Sequence, residues 1–391
     1  MKGWLLSNRD QNSRGPLAGV RVLDFSTLLP GPLATLLLSE AGATVVKVER
    51  PPDGDDMRSY TPAFGSASAA FALLNRGKTS IALDLKSPQG LDKLRPLLDT
   101  ADVLVEQFRP GVMRRLGLGY EQLMGRNPGL VYCSITGYGQ EGPRAQQAAH
   151  DLNYVADSGM LHLTSDSTNP VLPPALVADV GGGAYPAVMN ILLALHQRRQ
   201  GGRGAYLDIA MADNVFPFMY YAFAQAQTGE PLAPGHDAMS GGSARYQMYR
   251  TRDDRTVAAA PLEQKFWNNF CDVLDLDTGL RDDSLDPAAT RAAVASLIAA
   301  RPSGYWRTAF AGVDCCCTVA ATVSEALTDP AFASRGQFTR KIEGPPGAPT
   351  LTALPVPLAP ELQSSPVSIP FQDHLDMAGD GQELSWPSPF A

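Results

Sequence analysis

Three short stretches carry residue types that can move a proton to and from carbon. AAHDLNYVADSGML (148–161) sets His150 beside Asp151, ADVGGGAYPAVMN (178–190) sets Asp179 ahead of three glycines, and PLEQKFW (261–267) carries Glu263. Removing and returning a proton α to a carbonyl needs a base on one face, an acid on the other, and a donor for the developing oxyanion. Imidazole titrates near neutral pH, and a carboxylate taken out of water is pushed toward the same range. Each residue also has a plainer reading. A lone histidine is commonly a hydrogen-bonded structural residue, and an aspartate at a helix start commonly caps free N–H groups. The alternative for Asp179 is that its glycines let a ligand approach the backbone while a helix N-terminus stabilises negative charge. The three segments are far apart in sequence, so only the fold can bring them together.

Other candidates carry less. GGRGAY (201–206) loosely resembles a phosphate loop, but it lacks the Lys-Ser/Thr pair and follows ALHQRRQ, a helix end where glycine is expected. The five cysteines, Cys133, Cys271 and the run Cys315 to Cys317, lack the paired spacing of a zinc site or a disulfide framework. They read as reduced, compact core residues.

The elements that must position the chemistry alternate. VRVLDFS reads as a strand, PLATLLLSEAGA as a helix opened by proline, and TVVKVER as a strand. SIALDLKS, a helix at PQGLDKLRPLLDTA and the strand DVLVEQF repeat the order, and the helix YEQLMGRNP precedes the strand LVYCSITGYG. Such alternation predicts a doubly wound, Rossmann-like α/β domain with a parallel sheet, because parallel strands need crossover connections. A long helical stretch rich in Phe, Tyr and Ala follows GGRGAYLDIAMADNV. The Gly/Ser/Pro segment TGEPLAPGHDAMSGGSARY (228–246) then reads as a loop or linker. YQMYRTRDDRTVAAAPL predicts a hairpin turning at Asp253 and Asp254, and EQKFWNNFCDVLDL a helix. The expected organisation is a large domain over 1–227, a smaller α+β domain over 228–330, and a proline-rich arm over 331–391 that returns to the large domain.

With 391 residues, 44% hydrophobic, 18% charged and a formal net charge of −8, the chain has the balance of a globular protein and lacks a basic surface for nucleic acid. No uninterrupted apolar run approaches the ~18 residues of a membrane span, and the N-terminal stretch lacks a signal-peptide core, so a cytoplasmic protein without membrane attachment is expected.

GPLAGVRVLDFSTLLPGPLATLLLSEAGATVVKVERPPDGDDMR resembles the opening of the family III CoA-transferases and α-methylacyl-CoA racemases, the CaiB/BaiF family. The likeness continues through LNRGKTSIALDLKSPQG, ADVLVEQFRPGVMRRLGLGYEQL, LVYCSITGYGQEGP and GGRGAYLDIAMADNV, and returns in DPAFASRGQF (329–338). The proline-rich arm departs from it. Two chemistries run on that scaffold. In the transferases an aspartate at the position of Asp179 attacks an acyl-CoA, giving an acyl anhydride and then an aspartyl-CoA thioester, and the pair matching His150-Asp151 is usually Tyr-Asp. Racemases carry His-Asp there and use the histidine and the aspartate of the D-x-GGG segment as a proton-transfer pair, with a glutamate like Glu263 supporting the histidine.

The resemblance therefore implies a racemase of 2-methylacyl-CoA thioesters, with a CoA-transferase as the alternative and no cofactor or metal beyond the CoA moiety of the substrate. Ala149 stands where the racemases usually have glycine. The resemblance places CoA against Leu28, Leu29, Pro30, Arg50, Gln107, Phe108, Arg115 and Leu116. It makes MSGGSARY (239–246) a candidate closing loop, and it implies an intertwined homodimer in which Glu263 comes from the partner chain. A dinucleotide-binding oxidoreductase is disfavoured, because STLLPGPLA after the first strand lacks the G-x-G-x-x-G turn.

Overall fold

The computed structural model describes residues 15–164, 171–230, 233–235, 238–345, 347–364, 368–377 and 384–387. The chain divides into two compact units. One comprises Met1–Val155, Leu176–Val215 and Pro330–Ala391, the other Ala156–Ala175 and Phe216–Asp329.

The first unit opens with β1 (Arg21–Phe25), α1 (Pro30–Glu40) and β2 (Thr44–Glu49). A hairpin of β3 (Ala63–Phe64) and β4 (Ala67–Ser68) leads to α2 (Ala69–Asn75) and β5 (Thr79–Ala82). Next come α3 (Pro88–Leu98), β6 (Val103–Glu106), α4 (Val112–Arg115), α5 (Tyr120–Met124) and β7 (Val131–Thr136). Local chemistry sets the boundaries. Ser68 accepts the Phe71 N–H and Ser87 the Gly90 N–H at 3.0 Å each, while Pro30 and Pro88 occupy first-turn positions where a missing N–H costs nothing. Beyond β7 lie α6 (Asp151–Asp157), α7 (Met160–Leu163) in the second unit, α8 (Tyr185–Gly201) and β8 (Ala205–Ala210).

All seven strands of the main sheet are parallel, in the order β15-β5-β2-β1-β6-β7-β8, where β15 is Asp376–Met377 from the C-terminal arm. Leu23, Phe25, Val46, Val48, Leu104 and Tyr132 point from one face into a core with Leu94, Leu97, Met113 and Leu123 of α3 to α5. Helices α1 and α8 pack on each other and cover the opposite face. The doubly wound reading therefore holds. Progress along the chain runs from β1 outward through β2 to β5, then restarts on the other side of β1 with β6, so the strand order reverses between β1 and β6. In open parallel sheets a crevice opens at that point beyond the carboxyl ends of the strands.

By length and composition the helical run Ala178–Gly201 could cross a bilayer. Here it is a core helix on one side, burying Ala187, Ile191, Ala194 and Leu195 while leaving Met189 and Leu193 exposed. It ends at Gly202, φ 71°, whose N–H bonds the Arg198 carbonyl at 2.7 Å, so GGRGAY begins as a helix terminus.

In the second unit, Pro217 interrupts the expected long helix. A 3₁₀ segment, Asp213–Met219, precedes α9 (Tyr220–Gln227). The hairpin β9 (Gln247–Arg250) and β10 (Thr256–Ala259) turns at Asp254, φ 60°, and pairs further with β11 (Cys317–Val319). Trp267, Phe270 and Leu274 of α10 (Gln264–Leu274) form its core with Val294 and Ile298 of α11 (Pro287–Ala299) and Trp306 of α12 (Ser303–Phe310). Cys271 and Cys315 are buried there, and Cys133 is buried in the main sheet. Cys316 is the exception to the core reading, being exposed at φ 51°.

The arm contributes more than β15. Strands β12 (Lys341–Glu343), β13 (Leu351–Thr352) and β14 (Ser368–Pro370) form a small sheet, and Ile342 and Ala353 pack on Phe64 and Ala72.

Candidate active site

Asp179 does not cap a helix. It lies in a π-helical turn, Ala178–Ala184, that runs directly into α8, and its side chain makes no capping bond. The glycines behind it serve close packing. A Cβ on Gly182 would sit 2.5 Å from the Met211 carbonyl oxygen, and one on Gly183 would meet Met211 Cγ at 3.0 Å and Pro30 Cβ at 3.1 Å. Protein atoms thus occupy the space that these two glycines leave free. The Gly182 carbonyl accepts from Asn214 Nδ2 at 2.9 Å, which helps fix the turn. Val180 N–H bonds Leu176 O at 3.0 Å, so this amide after Asp179 is already engaged.

His150 and Asp151 reach the same place from the start of α6. The exposed His150 precedes the helix, and its N–H donates to Asn153 Oδ1 at 3.0 Å while its carbonyl accepts the Asn153 N–H at 2.8 Å. The buried Asp151 accepts the Asp179 N–H on Oδ2 at 2.9 Å. Tyr154 backs this corner. Its hydroxyl donates to Ala149 O at 2.9 Å and its ring meets Tyr138 edge-on at 5.3 Å.

Burial raises the Asp179 carboxyl to about 6, the Asp151 carboxylate adds to the rise, and neighbouring His150 opposes it. Burial likewise pushes Tyr154 up to about 12, with Asp179 contributing. The charges of Asp151 and His150 thus both act on Asp179. Glu263 lies on the second unit, exposed at the N-terminal boundary of α10 without a side-chain capping bond. In that unit MSGGSARY is tied down. Gln247 donates to the Gly241 carbonyl at 2.8 Å, Arg291 bonds the Gly242 carbonyl, and Arg245 pairs with Asp283 at 2.7 Å.

The residues expected against CoA lie after β1, after β2, after β6 and on α4, and a direct bond joins two of these segments, the loops after β1 and β6. Leu28 and Leu29 are half-buried after β1, and Pro30 is buried at the head of α1 against the π-helical turn. Gln107 and Phe108 follow β6. Gln107 Oε1 accepts the Gly31 N–H at 3.0 Å, tying the two loops together. Arg50 at the end of β2 is exposed, pairs with Asp56 and donates to Gly54 O at 3.2 Å. Arg115 is exposed on α4 and Leu116 is half-buried beside the core.

Two groups of supporting residues escaped the sequence reading. Beneath the β1 loop, Asp24 bonds Ser26 and Thr35 Oγ1 (2.6 Å) and pairs with Lys78 at 3.1 Å, while Lys47 pairs with Asp55 at 3.0 Å. All four charged side chains are buried. Burial pushes Asp24 up, but Lys78, Lys47 and the two hydroxyls outweigh it and bring the carboxyl to about 2. Burial lowers Lys78 to about 8, with Asp24 partly offsetting it. Across the crevice, Glu106 ends β6 fully buried, bonding the Ser134 hydroxyl and accepting the Phe108 N–H at 2.8 Å. Burial lifts its carboxyl to about 7 against those two bonds, with Asp208 assisting.

The family model described as CoA-transferase family III matches residues 17–370. Human succinyl-CoA:glutarate CoA-transferase is 37% identical over 269 residues, 68% of this chain, which spans 61% of the length of that protein. Mouse alpha-methylacyl-CoA racemase is 35% identical over 347 residues, 87% of either chain. A crystal structure of a CaiB/BaiF family protein from Brucella suis superposes with a TM-score of 0.75 at 28% identity, covering 88% of this chain and 93% of that one.

Proposed function

We propose that this chain, which belongs to CoA-transferase family III, racemises 2-methylacyl-CoA thioesters by 1,1-proton transfer through an enolate. The observation that carries this reading is the 2.9 Å bond from the Asp179 N–H to Asp151, the neighbour of His150, which brings the three residues to one corner where burial raises the Asp179 carboxyl to about 6. A carboxyl in that range exchanges its proton readily near neutral pH, so it can serve as base toward one enantiomer and as acid toward the other.

In one direction Asp179 takes the α-proton and its electron pair passes into the thioester carbonyl as an enolate. His150 then delivers a proton to the opposite face of Cα. The reverse direction exchanges the roles. Asp151 holds the Asp179 backbone and keeps the carboxyl poised, and Glu263 would orient His150 from a partner subunit. The exposed Met189 and Leu193 on α8 offer apolar surface that a homodimer would cover.

The nucleotide of CoA would enter the β1–β6 crevice, with Leu28, Leu29, Pro30, Gln107, Phe108 and Leu116 along its walls and Arg50 and Arg115 as cations for its phosphates. A phosphate would compete with Asp56 for Arg50. Nothing in this chemistry calls for a metal or redox cofactor, and acyl-CoA is the partner the reading requires. A cytoplasmic location, with its acyl-CoA pool, fits this reading.

The alternative is a CoA-transferase with Asp179 as nucleophile, which the likeness to the human glutarate enzyme favours. One experiment separates the two. Incubation with a panel of 2-methylacyl-CoA esters in deuterated water is expected to place deuterium at Cα, whereas hydroxylamine would trap an aspartyl-CoA thioester only on the transferase route. Absence of α-exchange across the panel, with hydroxylamine inactivation, would replace the racemase reading by the transferase one.

A further inference from the structure

The loop between β1 and α1 is held in a conformation its sequence does not favour. Leu28 has φ 61°, the left-handed region, where a leucine pays ~1–2 kcal/mol and offers no polar side chain to compensate. Its N–H lies 3.2 Å from each carboxylate oxygen of Asp55.

Asp55 is buried and firmly held. Its carboxylate pairs with Lys47 at 3.0 Å and accepts the Met57 N–H at 3.0 Å, and its own N–H donates to Glu49 Oε2 at 2.8 Å. Lys47 in turn donates to the Ser26 carbonyl at 2.6 Å, two residues before Leu28. Glu49 takes Arg58 bidentately, Nε at 2.8 Å and Nη2 at 2.7 Å, and Arg58 Nη1 donates to the Asp373 carbonyl at 2.9 Å. A chain of buried charges therefore runs from the C-terminal arm to the backbone of one strained residue at the mouth of the crevice. Burying so many charges carries a desolvation cost that their pairing offsets only in part, and conformational definition is one use to which such networks are put.

We propose that Asp55 is a positioning residue that holds Leu28 in its left-handed turn and so keeps the β1–β6 crevice shaped for the CoA nucleotide, with Arg58 and the 368–377 segment as its support. This rests on the proposal that the crevice takes CoA. It assigns no chemistry to Asp55, which acts through the Leu28 backbone.

The test uses the full chain and CoA itself as the probe in a calorimetric titration. Asp55→Asn leaves one uncharged acceptor oxygen for three donors, the Lys47 ammonium and the Leu28 and Met57 N–H groups, and it is expected to weaken CoA binding about tenfold, raising KM for acyl-CoA with kcat within about twofold. Adding Leu28→Asn, a residue type that enters the left-handed region readily, is expected to return amide exchange at position 28 toward the wild-type rate, a local readout that does not depend on the lost leucine side chain. That pattern separates positioning from mere stabilisation. An affinity within about twofold of wild type in Asp55→Asn, or no recovery of amide exchange in the double variant, overturns the proposal.

Should Asp55→Asn fail to fold, Leu28→Val decides. A β-branched residue resists positive φ, so about tenfold weaker binding is expected and an unchanged affinity overturns the proposal. If wild type itself binds no CoA, the ligand reading falls instead. Amide exchange at Leu28 then settles the positioning, which faster exchange in Asp55→Asn supports and unchanged exchange refutes.

Discussion

The Asp151 carboxylate accepts the backbone N–H of Asp179 at 2.9 Å, while its charge pushes the Asp179 side chain toward the neutral form. One residue thus holds the Asp179 backbone in place and, adding to the larger effect of burial, makes its carboxyl keep its proton more tightly. Asp151→Asn keeps an acceptor for that N–H but removes the charge. The acidic limb of kcat/KM against pH, in the direction that uses Asp179 as base, is expected to move to lower pH. An unmoved limb would mean that Asp151 does not tune Asp179.

Asp179→Asn removes the proposed base, so α-deuterium exchange is expected to fall by about 10²–10⁴-fold. The same variant should be more stable than wild type at pH 8. The carboxyl is raised from 3.8 to about 6 on folding, so the folded state is penalised once the group ionises. The gain is absent below pH about 4, grows as pH rises to about 6, and levels off at ~1–3 kcal/mol, read from denaturant midpoints at pH 4 and pH 8.

His150→Gln is expected to lower exchange by about 10²–10⁴-fold while leaving stability within ~0.5 kcal/mol, because the side chain is exposed and the Asn153 bonds involve only its backbone. Full exchange in this variant would move the second proton carrier elsewhere.

Glu106 supplies a pH-dependent term apart from catalysis. Its carboxyl rises from 4.5 to about 7 on folding, so the stability it contributes is complete below pH about 4.5 and is lost as pH climbs toward about 7. The loss amounts to ~3 kcal/mol at most, and Glu106→Gln should abolish it, since an amide can still serve Ser134 and the Phe108 N–H. Chemical denaturation at pH 5 and pH 8 compares the two proteins.

The alternation of strands and helices was legible because each βαβ unit carries its own periodicity, and the proton-transfer candidates were legible as residue types, His150 beside Asp151 and Asp179 ahead of its glycines. What stayed hidden depends on distant neighbours. Strand β15 has two residues and no pattern of its own, and it exists only because β5 presents an open edge. The π-helical turn at Asp179 owes its geometry to Met211 and Asn214, which no local rule connects to it. Lys47, Asp55 and Arg58 in KVERPPDGDDMR drew no reading from sequence, although a lysine within an otherwise apolar strand such as TVVKVE was the available signal. Glu106, closing the apolar run VLVE, was a similar one.

The arm also bears on how this protein is made. Gln372 mimics a strand at the β5 edge, its amide accepting the Ser80 N–H and donating to the Ser80 carbonyl at 3.0 Å each, and β15 continues the ladder. A sheet begun at residue 21 is thus closed on that side, among the described residues, by residues 372–377. During translation the second unit emerges in full while this edge still stands bare, so the nascent chain carries an open template for strand pairing until residues 372–377 leave the ribosome.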